Sequence, residues 1–166
     1  MNVEVENIGQ LVKDLHKYSD EVKKELSNQT ERSARKVQRS AMNKVRVDVG
    51  DLRASIRVRT NQIEGEVYTD KKHAPYEEFG TGRYVKIPPG LGDVASQFQG
   101  GKGGGFDELL KSIKRWVKAK GIEEGAAFPI AMKIAKYGRE GQAFMYPAAE
   151  EERRPYLQAV KRILKK

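Results

Sequence analysis

The sequence predicts an α+β fold: a long N-terminal helix packed on a small antiparallel β-sheet, with additional C-terminal helices and a long Gly-rich loop. Three observations predict it. Apolar residues recur at helical spacing through the first forty-five positions, two short alternating runs follow around residues 56–68, and three more helical stripes come after a stretch crowded with glycine and proline.

Val3 and Val5 alternate with polar residues, the pattern of a short strand. Ile8, Leu11, Val12, Leu15, Val22 and Leu26 then recur at helical spacing, continued more weakly by Ala34, Val37, Ala41 and Val45. Lys13, Lys17, Lys24, Arg32, Lys36 and Arg39 fall largely on other faces, as a solvated side requires. Ser27, Thr30 and Ser33 thin the apolar seam in the middle, which argues against a coiled coil.

Asp48, Gly50 and Asp51 break the helical pattern with turn-forming residues. Asp can bond free backbone amides there, and Gly can supply a dihedral that other residues resist. The runs Ile56-Arg57-Val58-Arg59 and Ile63-Glu64-Gly65-Glu66-Val67-Tyr68 both alternate, so they are predicted to pair as an antiparallel hairpin. His73 to Gly82 mixes aromatics with Pro75, Gly80 and Gly82, which suits a short helix that plugs onto the core and stops at glycine.

From Ile87 to Gly105, Pro88, Pro89 and many glycines leave few side chains to offset the entropy of ordering, so a long mobile loop is expected. Leu109, Leu110, Ile113, Trp116 and Val117 mark the next helix, with Lys111, Lys114 and Lys118 on the opposite side and an end near Gly121. Ala126 to Tyr137 is a further helix, with Pro129 in its first turn and Gly138 at its close. A linker, Gln142 to Pro147, leads to a last helix from Ala148 to Leu164, acidic at its start and basic at its end.

The 166 residues suit a single domain, divided here as a helix-and-hairpin core over 1–83, a mobile loop over 84–106 and a helical part over 107–166. No stretch approaches the ~18 apolar residues of a membrane span, and Met1 to Gln10 lacks the basic head and apolar run of a secretory signal. The expectation is a protein that stays in the cytoplasm where it is made. Without cysteine there is neither a disulfide nor a thiolate metal site. A net charge of +9 favours acidic partners, nucleic acid among them.

Catalytic signatures are not found. His16 and His73 lie in different segments with no companion ligand spacing, so no metal is expected, nor any other cofactor. Adjacent carboxylates such as Glu77-Glu78 point apart on a helix. Gly100-Gly101-Lys102-Gly103 fails as a phosphate loop, because Ser96 stands where the first glycine belongs and Gly103 replaces the hydroxyl after the lysine. Ser55 sits in no nucleophile elbow.

Val47-Asp48-Val49-Gly50-Asp51-Leu52-Arg53-Ala54-Ser55-Ile56 resembles the V-D-T-G-x-L-R-x-S-I signature of a family of tail-component proteins in long-tailed double-stranded DNA bacteriophages, with Val49 in place of threonine. Ala74-Pro75-Tyr76-Glu77-Glu78-Phe79-Gly80-Thr81-Gly82 is similar to that family's Y-A-x-Y-v-E-F-G-T-G element, and Trp116 to Ile122 to its W-V-x-x-K-G-I helix end. Ile130 to Gly138 resembles its A-x-x-I-x-x-x-G helix. Gln142 to Ala148 resembles its Q-P-F-L-x-P-A motif, with Ala143 for the usual proline.

The resemblance implies a noncatalytic structural protein of the virion, made in the host bacterium. It would act in tail completion or head-tail joining as a ring of identical subunits around the DNA channel. Implied partners are further copies of itself, the head-tail connector, and tail-terminator or tail-tube proteins. The motif residues it singles out are Asp48, Gly50, Leu52, Arg53, Ser55, Ile56, Tyr76, Glu78, Phe79, Gly80, Thr81, Gly82, Trp116, Phe144 and Pro147.

For these residues two placements stay open. Arg53 and Glu78 either pair within the subunit or reach the next one, and Phe144 and Tyr146 either fill the core or anchor a neighbour. Lys102, Lys111, Lys114, Lys118, Lys161, Arg162, Lys165 and Lys166 either face passing DNA or are simply solvated. A stand-alone basic nucleic-acid-binding module is the alternative function.

Overall fold

The computed structural model describes residues 20–46, 50–61, 63–99 and 105–165. The strand expected at Val3 and Val5, the first turns of the N-terminal helix, and Asp48, Lys102 and Lys166 lie outside these residues. No helix among the described residues is long and apolar enough to cross a membrane. The chain packs as two compact units, one of Met1–Lys44, Ser55–Asp70 and Phe144–Lys166, the other of Val45–Ala54 and Lys71–Ala143.

In the first unit the long helix α1 runs Asp20–Lys44. Leu26, Thr30, Ser33, Ala34 and Ala41 form its buried stripe. The helix α2, Asp51–Ser55, belongs to the second unit up to Ala54; the first unit resumes at Ser55 and continues with β1, Arg57–Asn61, and β2, Glu64–Tyr68, which pair antiparallel with Val58 opposite Val67 and Arg59 opposite Glu66. The hairpin is the expected one, starting one residue later in each strand. Ile56 stays outside the ladder because it is a core anchor, 2% exposed, whose carbonyl accepts a 2.8 Å bond from Gln38 Nε2. Gly65 lets β2 lie close on α1, since a Cβ there would come within 3.0 Å of Thr30 Cγ2.

Thr30 and Ser33, which weaken the apolar seam, are where α1 bonds to the last helix of the chain. Thr30 Oγ1 shares a 3.1 Å hydrogen bond with Tyr156 Oη, and Ser33 Oγ donates to Glu152 at 2.8 Å. Further along, Ser40 and Lys44 donate to Glu151 at 2.8 and 2.9 Å. These contacts alternate with apolar ones in which Leu26 and Val160 bury together, flanked by Val22, Ile63, Tyr156 and Ile163. Buried polar atoms with partners cost little, so the helices are held by both kinds of contact.

In the second unit the short helix α3, Ala74–Phe79, has Pro75 in its first turn and stops at Gly80. The expected irregular loop contains structure: helix α4, Gly92–Ala95, and a 3-10 turn, Ser96–Phe98. Phe98 is the reason, because its ring meets Tyr76 edge-on at 5.1 Å and stacks on Phe79 at 5.8 Å, anchors that glycine counting overlooks.

Helices α5, Phe106–Ala119, and α6, Ala127–Tyr137, pack through Ile113, Val117, Ala127 and Ala131, flanked by Leu109, Leu110, Trp116, Ile130 and Ile134. Each fully buried large side chain contributes about 1.5–3 kcal/mol. The last helix α7, Met145–Ile163, belongs to the first unit and takes in Tyr146 and Pro147, which the sequence assigns to a linker. Pro147 falls in the first turn, where the missing N–H has no helical partner to lose.

Candidate assembly site

The family-like element Phe79-Gly80-Thr81-Gly82 crosses the segment Gly138-Arg139-Glu140-Gly141 backbone against backbone. Thr81 N–H donates to the Arg139 carbonyl at 2.8 Å, and Arg139 N–H donates to Thr81 Oγ1 at 2.9 Å. Gly80 (φ 80°, ψ −170°) and Gly138 (φ 84°, ψ −175°) occupy a region open essentially to glycine alone. A Cβ on Gly138 would overlap the Thr81 carbonyl, and one on Gly82 would lie 2.9 Å from the Tyr137 carbonyl oxygen. Glycine is thus required on both sides of the crossing, by conformation and by space.

Side chains brace it. Phe79 is fully buried. Arg139 forms an ion pair with Glu77, whose other carboxylate oxygen is buried without a hydrogen-bond partner among the described residues. Lys86 reaches Glu140 at 2.7 Å, and its hydrogen bond and charge hold the Glu140 carboxyl below the usual carboxylate range. The Arg83 guanidinium lies over the rings of Tyr84 and Tyr137, at 4.8 and 4.7 Å.

A groove of about 1270 Å³ opens beside this crossing, with Asp51, His73, Glu77, Arg115, Trp116 and Arg139 among its walls. His73 remains largely reachable by water, yet it is shifted below the usual histidine range. Desolvation by the groove is the main cause, followed by Lys71, while Asp51 opposes the shift and Arg139 and Arg115 add to it. No group of three His, Cys, Asp or Glu side chains able to hold a metal occurs among the described residues.

Within the V-D-V-G-D-L-R-A-S-I stretch, residues 50–56 build a turn and anchors. Gly50 has φ 81°, and its carbonyl accepts from Ala54 N–H at 3.0 Å. Leu52 and Ile56 are buried, and Ser55 shares a buried 2.6 Å hydrogen bond with Thr69. Arg53 is exposed whereas Glu78 is 2% exposed, so the two candidate partners occupy opposite environments. Phe144 has no exposed surface and serves its own unit's core; Trp116, Tyr146 and Pro147 are half-buried.

Lys111, Lys114 and Lys118 are exposed along α5, Lys114 facing Glu124 at 3.6 Å. Lys161, Arg162 and Lys165 are exposed at the end of α7. Sequence reasoning missed Arg139 and Gly141 as partners of the glycine motif. The spacing of Gly138 and Gly141 just beyond a helix is the only local hint, and the pairing itself spans most of the unit.

Residues 9–80 match the family model described as "Bacteriophage HK97-gp10, putative tail-component". The match bears out the resemblance to a phage tail-component family over that span. No curated protein and no solved structure matches the chain.

Proposed function

We propose, from the premise that residues 9–80 carry a phage tail-component sequence, that this protein is a structural subunit of the tail-completion or head-tail joining apparatus. It assembles as a ring of identical subunits around the DNA channel. The family match carries the reading. Virion location follows from it, with the head-tail connector and tail-terminator or tail-tube proteins as neighbours.

The structure supplies features that suit such a part. A closed ring needs two different patches on each subunit that fit one another. Phe128 and Met132, one turn apart on α6, are 57% and 48% exposed and offer apolar surface for burial against a neighbour. The glycine crossing gives the second unit a rigid frame, as a geometric role requires. The exposed lysines of α5 and the basic end of α7 would meet DNA through sequence-independent phosphate attraction.

Light scattering coupled to size exclusion, at several concentrations and salt levels, tests this. A ring, or a monomer that forms one at high concentration without DNA, is the expected result. A persistent monomer that binds DNA only at low salt would overturn it in favour of a basic nucleic-acid-binding module.

A further inference from the structure

Arg83 and Tyr84 belong to a 3-10 turn, Gly82–Tyr84, and Lys136 and Tyr137 end α6. The glycine crossing sets these two stretches side by side, because Gly82 and Gly138 let their backbones approach. The Arg83 guanidinium, over the rings of both tyrosines, also donates to Tyr84 Oη at 2.6 Å, and Lys136 Nζ lies 5.2 Å from the centre of the Tyr137 ring. Two positive charges thus share one ring. Lys133, one turn back on the same face of α6, is exposed as they are.

The carboxylates of the crossing are already neutralised, Glu140 by Lys86 and Glu77 by Arg139. Arg83, Lys133 and Lys136 form no ion pair among the described residues, so this surface keeps an excess of three positive charges. Tyr84 and Tyr137 are both 37% exposed, and their rings serve the cations more than the core. They hold the guanidinium in place while a single hydrogen bond takes one of its N–H groups, which leaves most of the fork for an anion. Tyr84 Oη accepts that bond, so its own proton can be donated outward.

Guanidinium, ammonium and phenol hydroxyl are groups that bind phosphate oxygens of nucleic acid. A lone carboxylate would satisfy one of the three cations. A DNA strand offers a row of charges: Arg83 and Lys136 stand no more than about 10 Å apart, which spans about three phosphates at ~3.4 Å of rise each.

We propose that Arg83 and Lys136, with Lys133 beside them, grip successive phosphates of a DNA strand without reading its bases. This rests on the reading that DNA passes along the protein, and it makes the glycine crossing the frame that brings the gripping residues together.

Fluorescence anisotropy of a short labelled duplex, titrated with the full-length chain over a range of salt, tests it. Arg83→Gln/Lys136→Gln should weaken binding about tenfold and reduce the slope of log affinity against log salt by about two. Lys24→Gln/Arg32→Gln removes the same charge from exposed positions of α1 and should change both far less. Arg83→Lys should keep the slope yet bind more weakly, because an ammonium lacks the fork. All four side chains are exposed, and Trp116 fluorescence in urea checks that the variants stay folded.

Unchanged affinity in the Arg83→Gln/Lys136→Gln chain, or equal losses in the two double variants, would overturn the proposal in favour of bulk charge. Polyglutamate that displaces the duplex at equal charge would overturn it in favour of an acidic protein partner. A native chain that binds no duplex even at low salt would remove the site and the DNA contact together, while rings in light scattering would leave the ring reading standing.

Discussion

Replacing Gly138 with alanine places a Cβ where the Thr81 carbonyl already is, in a backbone conformation that alanine avoids. The conformational strain costs about 1–3 kcal/mol. The overlap is with backbone, so no side chain can swing aside, and the segments must separate. That loosens the Thr81–Arg139 and Arg139–Thr81 hydrogen bonds, each worth about 0.5–1.5 kcal/mol. Together the loss is expected to be about 2–6 kcal/mol. Gly121→Ala is the matched control: φ is 68°, but a Cβ there has nothing within 4 Å, leaving a cost of about 1–2 kcal/mol. Trp116, the one tryptophan of the chain, packs in the same unit as both glycines, so its fluorescence during urea unfolding reads their local stability. Equal losses for the two variants would refute the argument that the crossing needs glycine for space.

Arg139→Ala strands the carboxylate of Glu77 and should cost about 2–4 kcal/mol, moderated because Arg139 is partly exposed, while Glu77→Met/Arg139→Met together should recover much of it in the same unfolding assay. Ser55→Ala removes the buried 2.6 Å hydrogen bond between Ser55 and Thr69 and is expected to cost about 0.5–1.5 kcal/mol, read in thermal melts. Glu151 is held below the usual carboxylate range by hydrogen bonds from Lys44 and Ser40, so its contribution is present at neutral pH and lost as pH falls through that lowered range; Glu151→Gln should flatten the acid limb of a melting-temperature profile. The folded state likewise disfavours protonated His73, which lowers stability as pH drops below the ordinary histidine range. Histidine proton NMR in a His16→Gln background should show His73 titrating below that range.

The elements that follow from local pattern were legible: α1, the hairpin, α5 and α6 all lie where periodicity puts them, because a helix or hairpin needs only its own residues to declare its inner face. Thr30 and Ser33 were legible as a weakness in α1 but not as partners of Tyr156 and Glu152, more than a hundred residues away. Glycine content in 87–105 hid the order imposed by Phe98, a single residue whose partners lie outside the stretch. The same holds for the crossing: Gly80, Gly82 and Gly138 read as helix stops one at a time. Their joint purpose depends on two distant backbones meeting, which no local window contains.

That crossing also separates the chain's architecture from its reach. With Thr81 tied to Arg139, the sequence between them is a loop with clamped ends, and lengthening a clamped loop costs only about 0.6 kcal/mol per doubling. Residues can be added between Pro88 and Gly92, ahead of the Phe98 anchor, without disturbing the clamp.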